Sequence, residues 1–221
     1  MRAAIYLVVA AAGLCAGCKA TEPAVPSDTP QIAETAASSP SKPLGQGRSF
    51  FGIPLGDRAK KIVFVMDGSG SMTCPIECVQ FELKRCIGEL GEDTQFHVVF
   101  YSSAPPVEMP TRRLVRATQR NKALAGEFID AIVPQGEADP AESIKRALAL
   151  EPDCIYLLTD GEFDRAIIDL VKRNNPGGKV TVHTIGYLYR IGQPVLKKIA
   201  AQNNGNYRFI SEADLAAMFP G

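Results

Sequence analysis

Continuous apolar segments alternate with segments of helical periodicity between residues 50 and 221. The apolar segments, which predict strands, are Lys61–Met66, Gln95–Tyr101, Cys154–Thr159, Lys179–Ile185 and Asn206–Ile210. The segments with helical spacing are Thr73–Leu90, Gln119–Ile132, Pro140–Leu150, Glu162–Arg173 and Gln193–Gln202. Apolar runs without polar alternation are typical of strands covered on both faces. The pattern predicts an α/β fold, with a doubly wound, mostly parallel central sheet flanked by helices on both faces. Val107–Thr118 is a candidate for one antiparallel edge strand.

The first 49 residues differ from the rest of the chain. Arg2 precedes an uncharged, largely apolar run from Ala3 to Gly17, which is short for a membrane span and predicts a signal peptide. Residues 19–49 are rich in Pro, Ser, Ala and Thr, and such a stretch cannot bury enough apolar surface to offset its ordering entropy. We therefore expect a signal peptide at 1–18, a linker at 19–49 and one folded domain at 50–221.

The charge balance narrows the classes of partner. The chain has 24 basic and 24 acidic residues and two histidines. A net charge of zero does not supply the basic surface that binding to a phosphate backbone needs, so no nucleic-acid partner is expected. Two histidines are too few for a multi-histidine metal site. Because His97 and His183 each lie in a predicted apolar strand, we expect both to be structural.

Polar loops follow the first and third of the predicted strands. Asp67, Ser69 and Ser71 follow the first, and Asp160 follows the third. Open α/β sheets bind ligands at the carboxyl ends of their strands, so these side chains are expected to share one site. Carboxylate and hydroxyl oxygens suit Mg²⁺ or Mn²⁺ better than zinc or copper. In the alternative interpretation, Asp67 and Ser69 only cap the following helix; the pairing of two such loops favours a metal site.

These motifs resemble the von Willebrand factor A domain family, and the resemblance covers residues 59–212. The Asp-x-Ser-x-Ser loop at 67–71 is similar to the first loop of that family's metal-ion-dependent adhesion site, and Asp160 is similar to its third-loop aspartate. The resemblance implies four metal ligands: Asp67, Ser69, Ser71 and Asp160. It also implies a protein-binding module in which a partner's carboxylate completes the coordination of the cation.

One position departs from the family pattern. Bacterial members usually read Gly-Gly-Thr-Asp-Pro before the third helix, with a threonine hydroxyl at the metal site, whereas this chain has Ala138 there. An alanine methyl group cannot coordinate a cation, so the resemblance implies an incomplete site. A water molecule, Glu137 or Asp139 are the possible substitutes. A metal-free interaction scaffold is therefore the alternative function.

An enzyme is the third class of function. It would use Asp67 as a nucleophile, or Ser69 or Ser71 as an activated hydroxyl. The sequence has neither the Gly-x-Ser-x-Gly nucleophile elbow nor the Gly-x-x-x-x-Gly-Lys phosphate loop. We therefore expect a binding protein rather than a hydrolase.

The N-terminal cysteines bear on location. The segment 14–18 resembles a bacterial lipoprotein box, which implies lipid attachment at Cys18 and a membrane-anchored protein of the cell envelope. Cys15 departs from the usual leucine, and ordinary cleavage near Ala16 to Ala20 would instead release a soluble periplasmic or secreted protein. Export is expected in both cases.

The cysteines of the predicted domain have several possible roles. Export permits disulfides, and Cys74, Cys78, Cys86 and Cys154 allow three complete pairings. A bridge from Cys74 to Cys78 is one possibility, and their spacing without a second pair is a weak zinc signal. Cys86 and Cys154 are expected at apolar core positions.

Overall fold

The computed structural model describes residues 48–56, 59–73, 76–103, 105–161 and 164–219. The expected signal peptide, almost all of the expected linker, and Cys18 and Cys74 lie outside these residues, so the expectations for them stay predictions. None of the described helices combines the length and the apolar character needed to cross a membrane.

The described residues form nine strands, six α-helices and two short 3₁₀ helices. The strands are β1 (Ser49–Phe50), β2 (Ile53–Pro54), β3 (Lys61–Asp67), β4 (Gln95–Tyr101), β5 (Val107–Glu108), β6 (Val115–Arg116), β7 (Cys154–Thr159), β8 (Thr181–Tyr187) and β9 (Tyr207–Ile210). The α-helices are α1 (Ile76–Gly88), α2 (Gln119–Asp130), α3 (Ala141–Ala149), α4 (Ala166–Asn174), α5 (Gln193–Gln202) and α6 (Glu212–Met218). Short 3₁₀ helices lie at Gly70–Thr73 and Pro176–Gly178.

The main sheet has the order β5-β4-β3-β7-β8-β9, with β6 also paired to β4. Strands β4, β3, β7, β8 and β9 are parallel, whereas β5 and β6 run antiparallel to β4. The predicted fold class, including the antiparallel edge, is confirmed. The expected edge strand is divided in two because the chain turns between its halves, where Arg112 has a φ of 48° and donates its N–H to the carbonyl of Met109.

The apolar runs are continuous because both faces of the sheet are covered. Along β3, Ile62, Phe64 and Met66 belong to the apolar core shared with α1 and α2, whereas Val63 and Val65 face the core shared with α3, α4 and α5. Successive side chains of a strand point to opposite faces, so a strand with two buried faces needs apolar residues at every position.

Two elements are not predicted by the sequence pattern: the β1–β2 hairpin and α6. In the hairpin, Phe50 and Phe51 are completely buried. The Phe50 ring lies edge-on to the rings of Phe64, at 5.2 Å between centroids, and Tyr156, at 5.7 Å. The hairpin therefore contributes large side chains to the core on the α1 side of the sheet.

The buried carboxylate of Glu82 on α1 holds this hairpin together with its half-buried partner Arg85. The Glu82 carboxylate, in a residue 2 % exposed, accepts hydrogen bonds from the N–H of Phe51 at 2.8 Å and from Arg85 Nε at 2.7 Å. Arg85 Nη2 also donates to the carbonyl of Ser49 at 2.7 Å. The hydrogen bond to Glu82 raises the pKa of Arg85 above its usual value. These contacts clamp the start of the domain to its first long helix.

The start of β8 is later than expected. The predicted strand begins at Lys179, but Val180 gives its backbone N–H to Asn175 Oδ1 and its carbonyl accepts from Asn175 Nδ2. Because Val180 satisfies its backbone groups with a side chain, it does not join the sheet. The strand begins at Thr181 instead.

The described cysteines are free thiols. Cys86 and Cys154 are buried in the core on the α1 side, as expected, and Cys78 is half-buried. Burial raises the pKa of Cys154 to about 12 and raises that of Cys86 well above its usual value. Both thiols are therefore unreactive core side chains at neutral pH.

Candidate functional site

The two acidic loops leave adjacent strands of the sheet. Strands β3 and β7 pair in parallel, with Met66 beside Leu158, so Asp67 at the end of β3 lies next to the end of β7. The order of the strands reverses between β3 and β7: the chain continues from β3 to β4 on one side, whereas β7 and the later strands lie on the other side. Ligands bind at such switch points in open α/β sheets.

Backbone contacts fix the path of the first loop. The N–H of Gly68 donates to the carbonyl of Tyr101 at 2.8 Å, and the N–H of Gly70 donates to the carbonyl of Gly136 at 2.9 Å. A Cβ atom on Gly68 would lie 3.3 Å from the Tyr101 oxygen, which is why a residue without a side chain is suited to this turn. The loop is thereby held against the end of β4 and against the segment before α3.

Asp67 is completely buried, and four donors hold its carboxylate. Oδ1 accepts from the N–H of Ser69 at 2.9 Å and from the Ser69 hydroxyl at 2.6 Å. Oδ2 accepts from the Thr159 hydroxyl at 2.9 Å and from the Tyr101 hydroxyl at 3.0 Å. These four hydrogen bonds satisfy both oxygens of the buried side chain and fix its orientation.

The predicted residues are joined in one network. The Ser69 and Ser71 hydroxyl oxygens are 3.0 Å apart, and the Ser71 hydroxyl donates to Asp160 Oδ1 at 3.0 Å. The structure therefore brings together Asp67, Ser69, Ser71 and Asp160. In the capping interpretation, Asp67 would bond to the helix that follows. Asp67 Oδ1 instead accepts from Ser69, which precedes the 3₁₀ helix at Gly70–Thr73, and capping does not account for the link to Asp160.

Two features of this network suit a cation. Each serine hydroxyl carries one proton, and carboxylates are the stronger acceptors, so Ser69 gives its proton to Asp67 and Ser71 gives its proton to Asp160. The two serine oxygens then face each other without a proton between them. In addition, Asp160 Oδ2 is buried and has no hydrogen-bond partner among the described residues.

The surroundings of Asp160 disfavour its negative charge. Burial, and then the negative charge of Asp67, raise its pKa, although the hydrogen bond from Ser71 acts in the opposite direction. Two buried carboxylates in one network repel each other unless a positive charge lies between them. The described residues contain no cluster of three or more His, Cys, Asp or Glu side chains, so hydroxyl groups would complete the donor set. Hard oxygen donors of this kind fit Mg²⁺ or Mn²⁺.

The segment 135–140 lies beside the first loop but adds no carboxylate to the network. The Gln135 N–H donates to the carbonyl of Gly68 at 2.9 Å. Asp139 is exposed and uses Oδ1 to accept from the N–H of Ala141 at the start of α3, at 2.9 Å. Glu137 is also exposed, and its N–H donates to the Ser103 hydroxyl at 3.2 Å. Neither carboxylate has a hydrogen bond to the four-residue network.

Ala138 is half-buried and packs against the apolar core on the α3 side of the sheet. It contributes no polar atom at the place where the family resemblance implies a hydroxyl. The site therefore has two carboxylates and two serine hydroxyls.

Sequence reasoning did not identify Tyr101 and Thr159 as parts of the site. Both are buried, and both support Asp67 from neighbouring strands. Burial and the negative charge of Asp67 raise the pKa of Tyr101 well above its usual value, so its hydroxyl stays protonated as a donor. Their positions in the sequence could have identified them, because each is the last residue of a strand that flanks β3.

Both histidines have structural contacts away from this network. His97 Nε2 lies 2.8 Å from the Glu108 carboxylate. His183 Nδ1 accepts from the N–H of Asn206 at 3.0 Å, and its ring stacks on Tyr156. Burial lowers the pKa of both side chains below the usual value. The expectation that both are structural agrees with their burial.

A doubly wound sheet with a carboxylate and serine loop at its switch point defines a class of α/β binding domains. The model of the von Willebrand factor type A domain matches residues 60–209, and the chain belongs to this family. Domains of this family are typically protein-interaction modules.

The curated relatives are much longer than this chain. Inter-alpha-trypsin inhibitor heavy chain H4 of Sus scrofa is 28 % identical in an alignment of 178 residues that covers 72 % of this chain and 19 % of the relative. A von Willebrand factor A domain-containing protein of Dictyostelium discoideum is 30 % identical in an alignment of 157 residues that covers 67 % of this chain and 16 % of the relative. The chain thus spans less than a fifth of the length of either protein.

Solved structures share the fold. A von Willebrand factor type A protein from Catenulispora acidiphila has a TM-score of 0.63 at 23 % identity, covering 72 % of this chain and 40 % of that one. Proximal thread matrix protein 1 of the mussel byssus, solved with a zinc-occupied metal-ion-dependent adhesion site motif, has a TM-score of 0.54 at 21 % identity. That alignment covers 72 % of this chain and 43 % of the mussel protein.

Proposed function

We propose that this chain is an exported, lipid-anchored protein-binding module that recognises a carboxylate of its partner through a divalent cation at the carboxyl edge of the sheet. The observation that carries the proposal is the buried Asp160 Oδ2, which has no hydrogen-bond partner in the part of the chain that the structure describes, beside two serine oxygens that face each other. The zinc-occupied motif of the mussel protein lends support, because it places a metal in the same fold.

Asp160, Ser69 and Ser71 would hold the cation, with Asp67 supporting the serines. When bound, the cation supplies a positive charge and an open coordination position that a carboxylate can fill. Asp67 fixes Ser69 through its N–H and hydroxyl, while Tyr101 and Thr159 keep the carboxylate of Asp67 in place. The buried surroundings exclude water from Asp67 and strengthen these contacts.

Titration of the whole protein with Mg²⁺ and with Mn²⁺ in a calorimeter tests the site. Asp160→Asn should abolish binding because it removes the buried charge. Asp164→Asn is a matched control, since Asp164 is an exposed carboxylate on the same stretch of chain, whose Oδ1 accepts from the N–H of Ala166 at the start of α4. It should leave binding unchanged.

A third variant tests the incomplete second loop. Ala138→Thr should tighten binding by about tenfold if its hydroxyl recovers roughly 1.4 kcal/mol. If the native protein binds neither ion and Ala138→Thr does not restore binding, the metal site is refuted. The protein is then a metal-free interaction scaffold, the second candidate, which the packing of Ala138 against the apolar core favours.

The partner is sought by affinity capture on the whole protein with Mg²⁺ and with a chelator. Retention that requires Mg²⁺ and is lost in Asp160→Asn supports recognition through the cation. Retention of the partner that is unchanged by the chelator favours the metal-free interaction scaffold. A panel assay for hydrolysis on the same protein should show no turnover.

Lipid attachment is proposed for Cys18 on the sequence motif alone. Incorporation of a radiolabelled fatty acid should occur in the native protein and vanish in Cys18→Ser. Absence of label in the native protein would refute the anchor but not export, because cleavage by an ordinary signal peptidase would still release the protein from the membrane.

A further inference from the structure

We propose that the outer edge of β9 is a docking site for an extended segment of a partner protein that carries acidic residues at alternate positions and adds to the sheet as another strand. This site does not depend on the metal site, because it uses the last strand of the sheet rather than the loops after β3 and β7.

The outer edge of β9 has no neighbouring strand among the described residues. Of the described strands, only β8 pairs with β9. The N–H of Thr184 donates to the carbonyl of Asn206 at 2.9 Å, and the N–H of Leu188 donates to that of Ile210 at 2.8 Å. Backbone groups of successive strand residues point to opposite sides, so the N–H and carbonyl groups of Tyr207 and Phe209 point away from β8. Within the described part of the chain, no hydrogen bond to these four groups is present.

Two cations lie along one side of this edge. Lys197 Nζ is 5.6 Å from the centre of the Tyr207 ring, and Arg190 Cζ is 3.9 Å from the centre of the Phe209 ring. Helix α5, which covers this side, contains no acidic residue. The aromatic rings fix the positions of the two positive charges beside the free backbone groups.

Acidic residues are present on the neighbouring helix α6, where Asp214 accepts the N–H and the hydroxyl of Ser211. The charge of Asp214 is thus used in capping that helix, and Arg208 and Arg190 lower its pKa further. An added strand would place every second side chain on the α5 side, over Arg190 and Lys197. Acidic residues at those positions would meet two positive charges, while the backbone would gain partners at Tyr207 and Phe209.

An exposed apolar pair lies at one end of the same edge. Tyr189 is 60 % exposed and Ile191 is 59 % exposed, in the loop that Leu188 fastens to Ile210. Apolar residues of an added segment would bury this pair. Positive charges on an edge strand can also serve only to prevent pairing between copies of a protein, and the experiment separates that role from docking.

The probe is the peptide acetyl-Thr-Glu-Val-Glu-Val-Glu-Thr-amide, with a counterpart in which lysine replaces each glutamate. Amide hydrogen exchange of the whole protein is followed by NMR. Without peptide, the amides of Tyr207 and Phe209 should exchange faster than those of Arg208 and Ile210, which bond to β8. The acidic peptide should slow exchange at Tyr207 and Phe209 by about tenfold or more, and the lysine peptide should not.

Variants test the charges and the backbone separately. Arg190→Glu with Lys197→Glu should reverse the preference between the two peptides, whereas Lys172→Glu on α4 should not. Phe209→Pro removes an N–H that β8 does not use and should abolish protection at Tyr207, while Phe209→Leu should keep it. Slow exchange at Tyr207 and Phe209 in the free protein would overturn the proposal. So would equal binding of both peptides, binding of neither peptide, or binding that survives both Phe209→Pro and the charge reversal.

Discussion

Removing the hydroxyl of Tyr101 should cost more stability than removing an equally buried tyrosine hydroxyl elsewhere in the core. Tyr101→Phe keeps the ring and deletes the donor that lies 3.0 Å from Asp67 Oδ2. Tyr156→Phe is the matched control, because the Tyr156 hydroxyl donates to a neutral acceptor, the carbonyl of Pro54, at 2.9 Å. Both tyrosines are at most 1 % exposed.

The magnitudes follow from the two acceptors. A hydrogen bond to a charged group contributes about 1.5–3 kcal/mol, and one between neutral groups about 0.5–1.5 kcal/mol. We therefore expect Tyr101→Phe to lower the free energy of unfolding by about 1 kcal/mol more than Tyr156→Phe does. In a domain of this size, that difference corresponds to a Tm lower by roughly 2–4 °C.

Urea unfolding at pH 7, followed by circular dichroism, measures the two losses on the same scale. Calorimetric titration with Mg²⁺ gives a second result, since only Tyr101→Phe should weaken binding of the cation by loosening Asp67. The Tyr101 hydroxyl also lies 3.0 Å from the carbonyl of Leu158. If Tyr101→Phe costs no more than Tyr156→Phe, the hydroxyl donates to that neutral carbonyl, and the account of how Asp67 is held is wrong.

Three further predictions concern stability and titration. Glu82→Gln should lower the free energy of unfolding by about 1.5–3 kcal/mol, because it removes the buried charge that accepts from both Phe51 and Arg85 and leaves Arg85 with its more exposed partner Glu89. Urea unfolding measures the loss, and a loss below about 0.5 kcal/mol would contradict the role of Glu82 in holding the hairpin. His97 and His183 should titrate below pH 6.5 in NMR spectra, since burial lowers both pKa values. Near these pKa values the unfolded chain binds more protons than the folded protein, so the free energy of unfolding should fall as the pH is lowered through and below 6.5. Titration midpoints above 6.5 would refute this prediction. Ser211→Ala should destabilise α6 by about 1 kcal/mol by removing its N-cap, and hydrogen exchange in α6 that stays unchanged would speak against that role.

The central strands could be predicted because their burial leaves a direct trace in the sequence. β3, β4 and β7 are mostly apolar because both of their faces are buried, and their predicted and observed bounds differ by one residue at most. The end of β8 gave a weaker signal, because Gly186 and Tyr187 continue the strand beyond the predicted Ile185. The start of β8 could not be predicted, because the Asn175 side chain hydrogen-bonds to the N–H and carbonyl of Val180 and keeps that residue out of the sheet.

The unpredicted elements are too short to have a periodicity. The β1–β2 hairpin has two residues in each strand, and its stability comes from contacts with Glu82 and Phe64, which are distant in sequence. α6 is seven residues long, although Ser211 and Asp214 form a capping box that marks its start. A search for that capping pattern finds the helix.

That the four predicted site residues lie together could be predicted, because a loop sequence and the end of an adjacent strand carry them; their role as metal ligands stays a prediction. Their bonding could not be predicted in the same way. Asp67 has four donors, whereas one oxygen of Asp160 has no partner within the described ranges. Both facts depend on which side chains the register brings to the ends of β4 and β7. A sequence shows the residue types, but not how the donors and acceptors are distributed among them.

The β1–β2 hairpin limits how far the chain can be truncated at its N-terminal side. The family match begins at residue 60 and stops at residue 209, so an excised domain with those limits would lack Phe50, Phe51 and α6. Both lost elements cover the same side of the sheet, where Phe50 meets Phe64 and Phe219 meets Phe81. Such a fragment would present uncovered aromatic surface to solvent and aggregate during purification. The smallest piece suitable for recombinant expression starts no later than Arg48 and continues through Phe219.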